Sequence, residues 1–172
     1  TDADTAQIEV KDKDDITDAK MFIENDTLVV NVTRRERMRR ILFITIIGSF
    51  SKSDVILHLP KRHYEKISVK NDDGFIDLSK ATALHFDLES DNGKIITDDI
   101  TGELLHAETS NGRIILSNMR VNEVEASTSN GRIISENSEA LKFKFDTDNG
   151  RIELKNVHGS IDARTKNGRI EA

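Results

Sequence analysis

Residues 109–114, Thr-Ser-Asn-Gly-Arg-Ile, are one copy of a motif that recurs along the last two-thirds of the chain. The glycines of successive copies are Gly74, Gly93, Gly112, Gly131, Gly150 and Gly168, which gives spacings of 19, 19, 19, 19 and 18 residues. Repeats of this length, with two short runs of β-forming residues in each unit, are typical of solenoids in which each unit is one rung stacked on the last.

The repeats predict which side chains form the core. Stacked parallel rungs place equivalent residues directly above one another, so each column of residues faces either the core or the solvent. Isoleucine stands two residues after every glycine, from Ile76 to Ile170. Apolar or small residues recur four and seven residues after the glycine, and seven and five residues before it. We interpret these five columns as the interior.

This pattern predicts an all-β fold, a parallel β-helix (β-solenoid) with rungs of about 19 residues and an irregular N-terminal β cap. Crossovers between parallel strands are nearly always right-handed, which favours a right-handed β-helix. Residues 1–60 do not show the repeat, so we assign them to the cap and the irregular first rungs. Residues 61–172 then form the regular solenoid of a single continuous domain.

The Asn-Gly dipeptide of each repeat predicts a tight corner, because both residues accept a positive φ. The residue three before the glycine is threonine in four repeats: Thr109, Thr128, Thr147 and Thr165. We expect these threonines to face inward and to hydrogen-bond along the stack, and we expect the asparagines to form a ladder of side-chain amides. The motif is therefore interpreted as structural and not as a ligand loop.

The composition excludes several kinds of function. The net charge of −6 argues against nucleic-acid binding, and the absence of cysteine excludes disulfides and thiolate metal sites. The five histidines occupy different columns without ligand spacing, so we predict neither a metal nor a cofactor. The longest apolar run, residues 41–50, is far shorter than the roughly 20 residues that span a bilayer, so we predict no transmembrane segment.

Both ends of the sequence raise an expectation about what lies beyond them. The chain begins without methionine and ends in the middle of a rung. We expect that the natural chain extends further, or that a second subunit stacks end to end on the last rung.

The [Ser/Thr]-x-Asn-Gly-[Arg/Lys]-Ile units, preceded by Val-Ile-Leu-His-Leu-Pro at residues 55–60, resemble the bacterial adhesin-type repeat family, also called Toastrack domains, over about residues 50–172. The resemblance implies a non-catalytic β-solenoid of the kind often found in bacterial cell-surface or envelope-stress proteins. It implies no catalytic or ligand residues. It favours a location at the bacterial cell surface or envelope, with the cytoplasm as the alternative.

One outward column has a distinctive chemistry. The residue after each glycine is Phe75, Lys94, Arg113, Arg132, Arg151 and Arg169 in turn. Rungs about 4.8 Å apart would give neighbouring charges a repulsion of up to about 1 kcal/mol in water. Glu153 and Glu171 follow the last two arginines at a distance of two residues, whereas Ile96, Ile115 and Ile134 follow the first three cations. We call Lys94, Arg113, Arg132, Ile96, Ile115 and Ile134 the strip, and we predict that it is a binding site.

Three coverings of the strip are open at this stage, because an outward apolar patch is rarely left to water. They are the N-terminal segment, a second copy of the chain packed face to face, and an anionic, partly apolar ligand. Such a ligand would be a lipid headgroup, a teichoic-acid-like polymer or an acidic protein segment.

Three functions are compared. The first is a non-catalytic binding or scaffold module of a bacterial cell-envelope protein, and the second is a regulatory or sensing domain of an envelope-stress response system. The third is a carbohydrate-active β-helix enzyme, for which Asp87, Glu89 and Glu108 on one outer face are the candidate carboxylates. Acidic residues are frequent in this chain and fold analogy alone warrants little, so we predict that the protein is not an enzyme.

Overall fold

The computed structural model describes residues 7–10, 18–24, 27–33, 44–48, 55–58, 63–72 and 74–172. Every regular element within these ranges is a β-strand. The first five strands are β1 (Gln7–Val10), β2 (Asp18–Glu24), β3 (Thr27–Thr33), β4 (Ile44–Gly48) and β5 (Val55–His58). The strands of the regular repeats are β6 (His63–Asn71), β7 (Ile76–Ser79), β8 (Thr82–Ser90), β9 (Ile95–Asp98), β10 (Thr101–Thr109), β11 (Ile114–Ser117), β12 (Arg120–Thr128), β13 (Ile133–Thr147), β14 (Arg151–Thr165) and β15 (Arg169–Glu171).

Each rung contains a short strand followed by a long strand, so the solenoid has two parallel faces. The short face contains β7, β9 and β11, continues through the first halves of β13 and β14, and ends at β15. The long face contains β4, β6, β8, β10 and β12 and continues through the second halves of β13 and β14. Ile114 pairs with Ile95 on one side and Ile133 on the other, 19 residues away each time. The predicted all-β parallel solenoid with rungs of about 19 residues is confirmed.

The predicted interior columns are confirmed as the core. The side chains of Ile95, Leu105, Ile114, Phe143 and Ile152 are fully buried. Ile161 and Ile170 belong to the same columns but are 41% and 43% exposed, because they lie in the last rung. A sixth inward column, ten residues before the glycine, was not predicted and contains Tyr64, Ala83, Val121 and Ala140.

Small buried side chains on one face of a rung lie opposite large side chains on the other face. Ser135 and Ser138 are small residues in buried positions of one rung, and the long strand of that rung supplies Phe143 and Phe145. The two rings pack with centroids 5.5 Å apart at an interplanar angle of 34°. Small side chains on one face are thus compensated by large ones on the other, which keeps the rung filled.

The conformation predicted for the Asn-Gly corner is wrong. The non-glycine residues with positive φ lie at the opposite corner, six residues after each glycine: Lys80, Asp99, Asn118, Asn137 and Asn156. The glycines from Gly93 onward in the motif have no positive φ. They are needed for space: a Cβ on Gly131 would lie 1.7 Å from the carbonyl oxygen of Gly112 in the rung below.

The described N-terminal strands follow a different pattern. β1 pairs with β5 and β2 pairs with β3, in both cases antiparallel. β4 is parallel to β6 and begins the long face.

The basic cluster at residues 34–40 and the acidic residues 11–15 lie outside the described residues. The division at residue 60 and the right-handed sense stay predictions. No helix capable of crossing a membrane is present in the described part of the chain.

Candidate functional site

The strip lies on the outer surface of the short face. Ile96, Ile115 and Ile134 stand in register on β9, β11 and β13, with their neighbours Ile95, Ile114 and Ile133 turned into the core. All three outward isoleucines are half-buried. Adjacent strands are only about 4.8 Å apart, so each isoleucine shields the next, and Ile115 has one on either side.

Other charged residues frame the strip. The isoleucine column is bounded by Asp77 at one end and by Glu153 at the other. A further outward column lies two residues beyond the isoleucines on the same strands: Ser79, Asp98, Ser117, Glu136 and Lys155. The short face therefore presents a cationic column, an isoleucine column and a partly acidic column side by side.

Two of the three cations in the strip have partners within the chain. The Lys94 ammonium lies 5.4 Å from the centre of the Phe75 ring, a cation–π contact. A guanidinium nitrogen of Arg132 lies 3.3 Å from a Glu153 carboxylate oxygen in the rung above, and Glu153 also pairs with Arg151 at 3.3 Å. Arg132 therefore has a neutralising carboxylate within the chain, and Lys94 has an aromatic partner.

Arg113 is the exception in this column. Its side chain is exposed and makes no ion pair or side-chain hydrogen bond within the described ranges. The diagonal position that Glu153 fills for Arg132 is occupied for Arg113 by Ile134. Within the described residues the strip therefore combines one unpaired guanidinium with three half-buried isoleucines and two cations that have partners.

Phe75 ends the cationic column and is 77% exposed. An aromatic ring with a cation above it, next to an apolar column, adds to the apolar surface of this face. The proposed cover by the N-terminal acidic stretch lies outside the described residues, so that alternative stays untested.

The Asn-Gly corners beside the strip have the hydrogen bonds that the sequence predicts. Thr109 Oγ1 donates to the carbonyl oxygen of Gly93 at 3.0 Å, and the three later threonines make the same bond to the glycine of the preceding rung. The Asn111 amide donates to the Asn92 side-chain oxygen at 2.9 Å, and the ladder continues through three further asparagines. Both the threonine column and the amide ladder are confirmed.

Two of the three candidate carboxylates of the long face form ion pairs, and the third lies near a histidine ring. Asp87 lies 2.9 Å from the Lys66 ammonium, Glu89 lies 2.6 Å from that of Lys70, and Glu108 lies 3.4 Å from a His106 ring nitrogen. Burial acts to raise the pKa of the Asp87 carboxyl, but the Lys66 hydrogen bond and charge outweigh it and hold the pKa below its ordinary value. No cluster of metal-ligating side chains occurs in the parts of the chain that the structure describes.

The chain belongs to the Toastrack DUF4097 family, whose model matches residues 1–172. The match includes the N-terminal region that lacks the repeat and so extends beyond the resemblance seen in residues 50–172. The family is a repeat domain of unknown function. No curated protein and no solved structure matches the chain.

Proposed function

We propose that the chain is a non-catalytic binding or scaffold module of a bacterial cell-envelope protein, and that the strip on the short face is its binding surface. The observation that carries the proposal is the exposed Arg113 guanidinium, which has no partner in the described part of the chain and belongs to the column next to Ile115 and Ile134. The envelope location rests on the family resemblance alone.

The chemistry of the strip selects the kind of partner. A guanidinium presents a planar set of donors that suits a carboxylate or a phosphate, and it holds either in a bidentate geometry. The isoleucines add apolar area beside that charge, and burying it gains about 25 cal/mol per Å². A partner that presents an anionic group next to apolar groups uses both features, whereas a free small anion uses only the first.

Rigidity supports a binding role. The strip stands on paired strands whose corners are fixed by the threonine and asparagine hydrogen bonds, so its side chains are held at a constant rung spacing. A surface that is already ordered loses less conformational entropy when a partner binds. Asp87 and Glu89 of the long face are held in ion pairs, which gives no support to a hydrolytic role for them.

The test is cosedimentation of the chain with vesicles rich in anionic lipid, and separately with purified wall teichoic acid, at low and at high salt. We expect binding that weakens with salt and is lost in Arg113→Ser and in Arg113→Ser/Arg132→Ser, because exposed charge pairs are screened. Lys142→Ser removes an exposed cation from the long face and serves as the matched control. Binding that survives Arg113→Ser would refute the assignment of the site. A strip that binds neither ligand and no second copy of the chain would refute the function.

A further inference from the structure

The outer surface of the short face has a near-symmetry about its isoleucine column. Lys94 stands two residues before Ile96, and Asp98 stands two residues after it on the same strand. Two rungs further on, the same arrangement recurs with Arg132, Ile134 and Glu136. At a rise of about 3.3 Å per residue, cation and carboxylate lie roughly 6.6 Å from the isoleucine column on opposite sides. A rotation of 180° about an axis along that column therefore exchanges the two sides.

Applied to two copies of the chain that face each other, this rotation brings opposite charges together at two rungs. Lys94 of each copy meets Asp98 of the other, and Arg132 meets Glu136. The isoleucines of the two copies meet on the axis. We infer that the partner of the strip is a second copy of this chain, packed short face to short face. The inference rests on the proposed function, because it names the partner of that same surface.

Two of the groups that the second copy would engage, Arg113 and Glu136, have no side-chain partner within the described ranges. Lys94, Asp98 and Arg132 already contact Phe75, Asn118 and Glu153, and the second copy would add to those contacts. Arg113 would face Ser117 of the other copy, whose hydroxyl can accept a hydrogen bond. The Glu136 carboxylate has no hydrogen bond or ion pair within the described ranges, and it would face Arg132. Sheets that pack face to face lie about 10 Å apart, which allows the opposed isoleucines to exclude the remaining water.

The complementary surface is small. The same rotation opposes Asp77 to Asp77 and Arg151 to Lys155, so attraction is confined to three central rungs. Three rungs of about 4.8 Å and three columns are much less than the roughly 800 Å² per partner of a standard interface. The dimer is therefore weak, and it forms in a concentration-dependent manner.

Sedimentation velocity on the 172-residue chain, over a wide range of concentration at low salt, tests the inference. Lys94→Glu and Asp98→Lys each turn an attraction into a repulsion, and the dyad makes every substitution act twice. Each single variant should raise the dimer Kd by roughly tenfold or more. The double variant Lys94→Glu/Asp98→Lys restores opposite charges and should return the Kd to within a few-fold of the original. Lys142→Glu makes the same charge change on the long face and should leave the Kd unchanged.

The outcomes separate this inference from the proposed function. A wild-type chain that stays monomeric at all concentrations overturns the second copy as partner, and so does a dimer that Lys94→Glu does not weaken. Failure of the double variant to restore a dimer, when circular dichroism shows it folded, overturns the charge pairing. If the wild type is monomeric but loses vesicle or polymer binding on Arg113→Ser, the proposed function stands with a different partner. Absence of both self-association and ligand binding overturns both proposals.

Discussion

Replacing Gly112 by alanine tests what the repeated glycines are for. A Cβ on Gly112 would lie 1.8 Å from the carbonyl oxygen of Gly93 and 2.7 Å from its carbonyl carbon. Real Cβ contacts essentially never fall below 3.0 Å, so the two rungs must separate by about 1 Å at this corner. The neighbour is backbone, which cannot rotate away as a side chain would.

The cost follows from the hydrogen bonds that hold this corner on the rung below. They are Asn111 N to Asp91 O at 3.0 Å, Thr109 Oγ1 to Gly93 O at 3.0 Å, and the Asn111 amide to Asn92 Oδ1 at 2.9 Å. At about 1 kcal/mol net for each bond, losing two or three costs about 2–3 kcal/mol. Gly112 has no positive φ, so alanine also reduces the freedom of the unfolded chain, which stabilises by about 0.4–1 kcal/mol. We therefore expect Gly112→Ala to lower the free energy of unfolding by about 2 kcal/mol in total.

The assay is urea unfolding followed by circular dichroism. The matched control is Ser110→Ala, an exposed residue of the same turn, which should change the free energy of unfolding by less than about 0.5 kcal/mol. If Gly112→Ala is as stable as the wild type, or more stable, then rung contact does not explain the glycine column and the reasoning is refuted.

Three further predictions concern other columns. Lys80 has a φ of 54°, a conformation that asparagine tolerates better than lysine. Lys80→Asn should therefore raise the free energy of unfolding by up to about 1 kcal/mol, and Asn137→Lys should lower it by a similar amount. Unfolding midpoints that move the other way would contradict this. Ser135→Leu overfills a rung that already holds two phenylalanine rings and should cost about 1–3 kcal/mol, whereas unchanged stability would reveal free space there. The Asp87 pKa is held low in the folded state, so its contribution to stability is present above the unfolded pKa of about 3.9 and is lost as the pH falls through the folded value. The stability gap between wild type and Asp87→Asn should therefore shrink on acidification from pH 7 to about pH 3, and an equal gap at both pH values would argue against the ion pair.

The core could be read from the sequence wherever a column keeps one chemical character. The isoleucine column does so without exception, and the structure buries it in every rung before the last. The column ten residues before the glycine was missed because it mixes a tyrosine, alanines, a valine and Gly102, and because its member in the last rung, Gly159, stands only nine residues before Gly168. The size of the residue in this column is limited by the rung below: a Cβ on Gly102 would lie 2.9 Å from the Phe86 ring of that rung. A reading along one rung cannot reveal that contact.

The two corners show why residue chemistry alone did not locate the positive φ. Asn-Gly satisfies two different demands, a left-handed conformation and the absence of a side chain, and only the second applies where Gly112 stacks on Gly93. The left-handed corner instead has asparagine in three rungs, aspartate in one and lysine in one, all six residues after the glycine. The recurrence of Asn and Asp at this position is the sequence feature that indicates the left-handed corner.

The strip shows the corresponding limit for function. Its six residues and its outward direction follow from the repeat, but whether a cation finds a partner depends on a diagonal contact between rungs. Arg132 reaches a carboxylate because the residue one rung up in the isoleucine column is Glu153. For Arg113 that residue is Ile134, and no other described residue pairs with it. In a solenoid the neighbours of a side chain are set by the adjacent rungs. An outward column that changes its chemistry over three rungs, while the core beneath it stays constant, is therefore not explained by packing. We propose binding as the reason for that change.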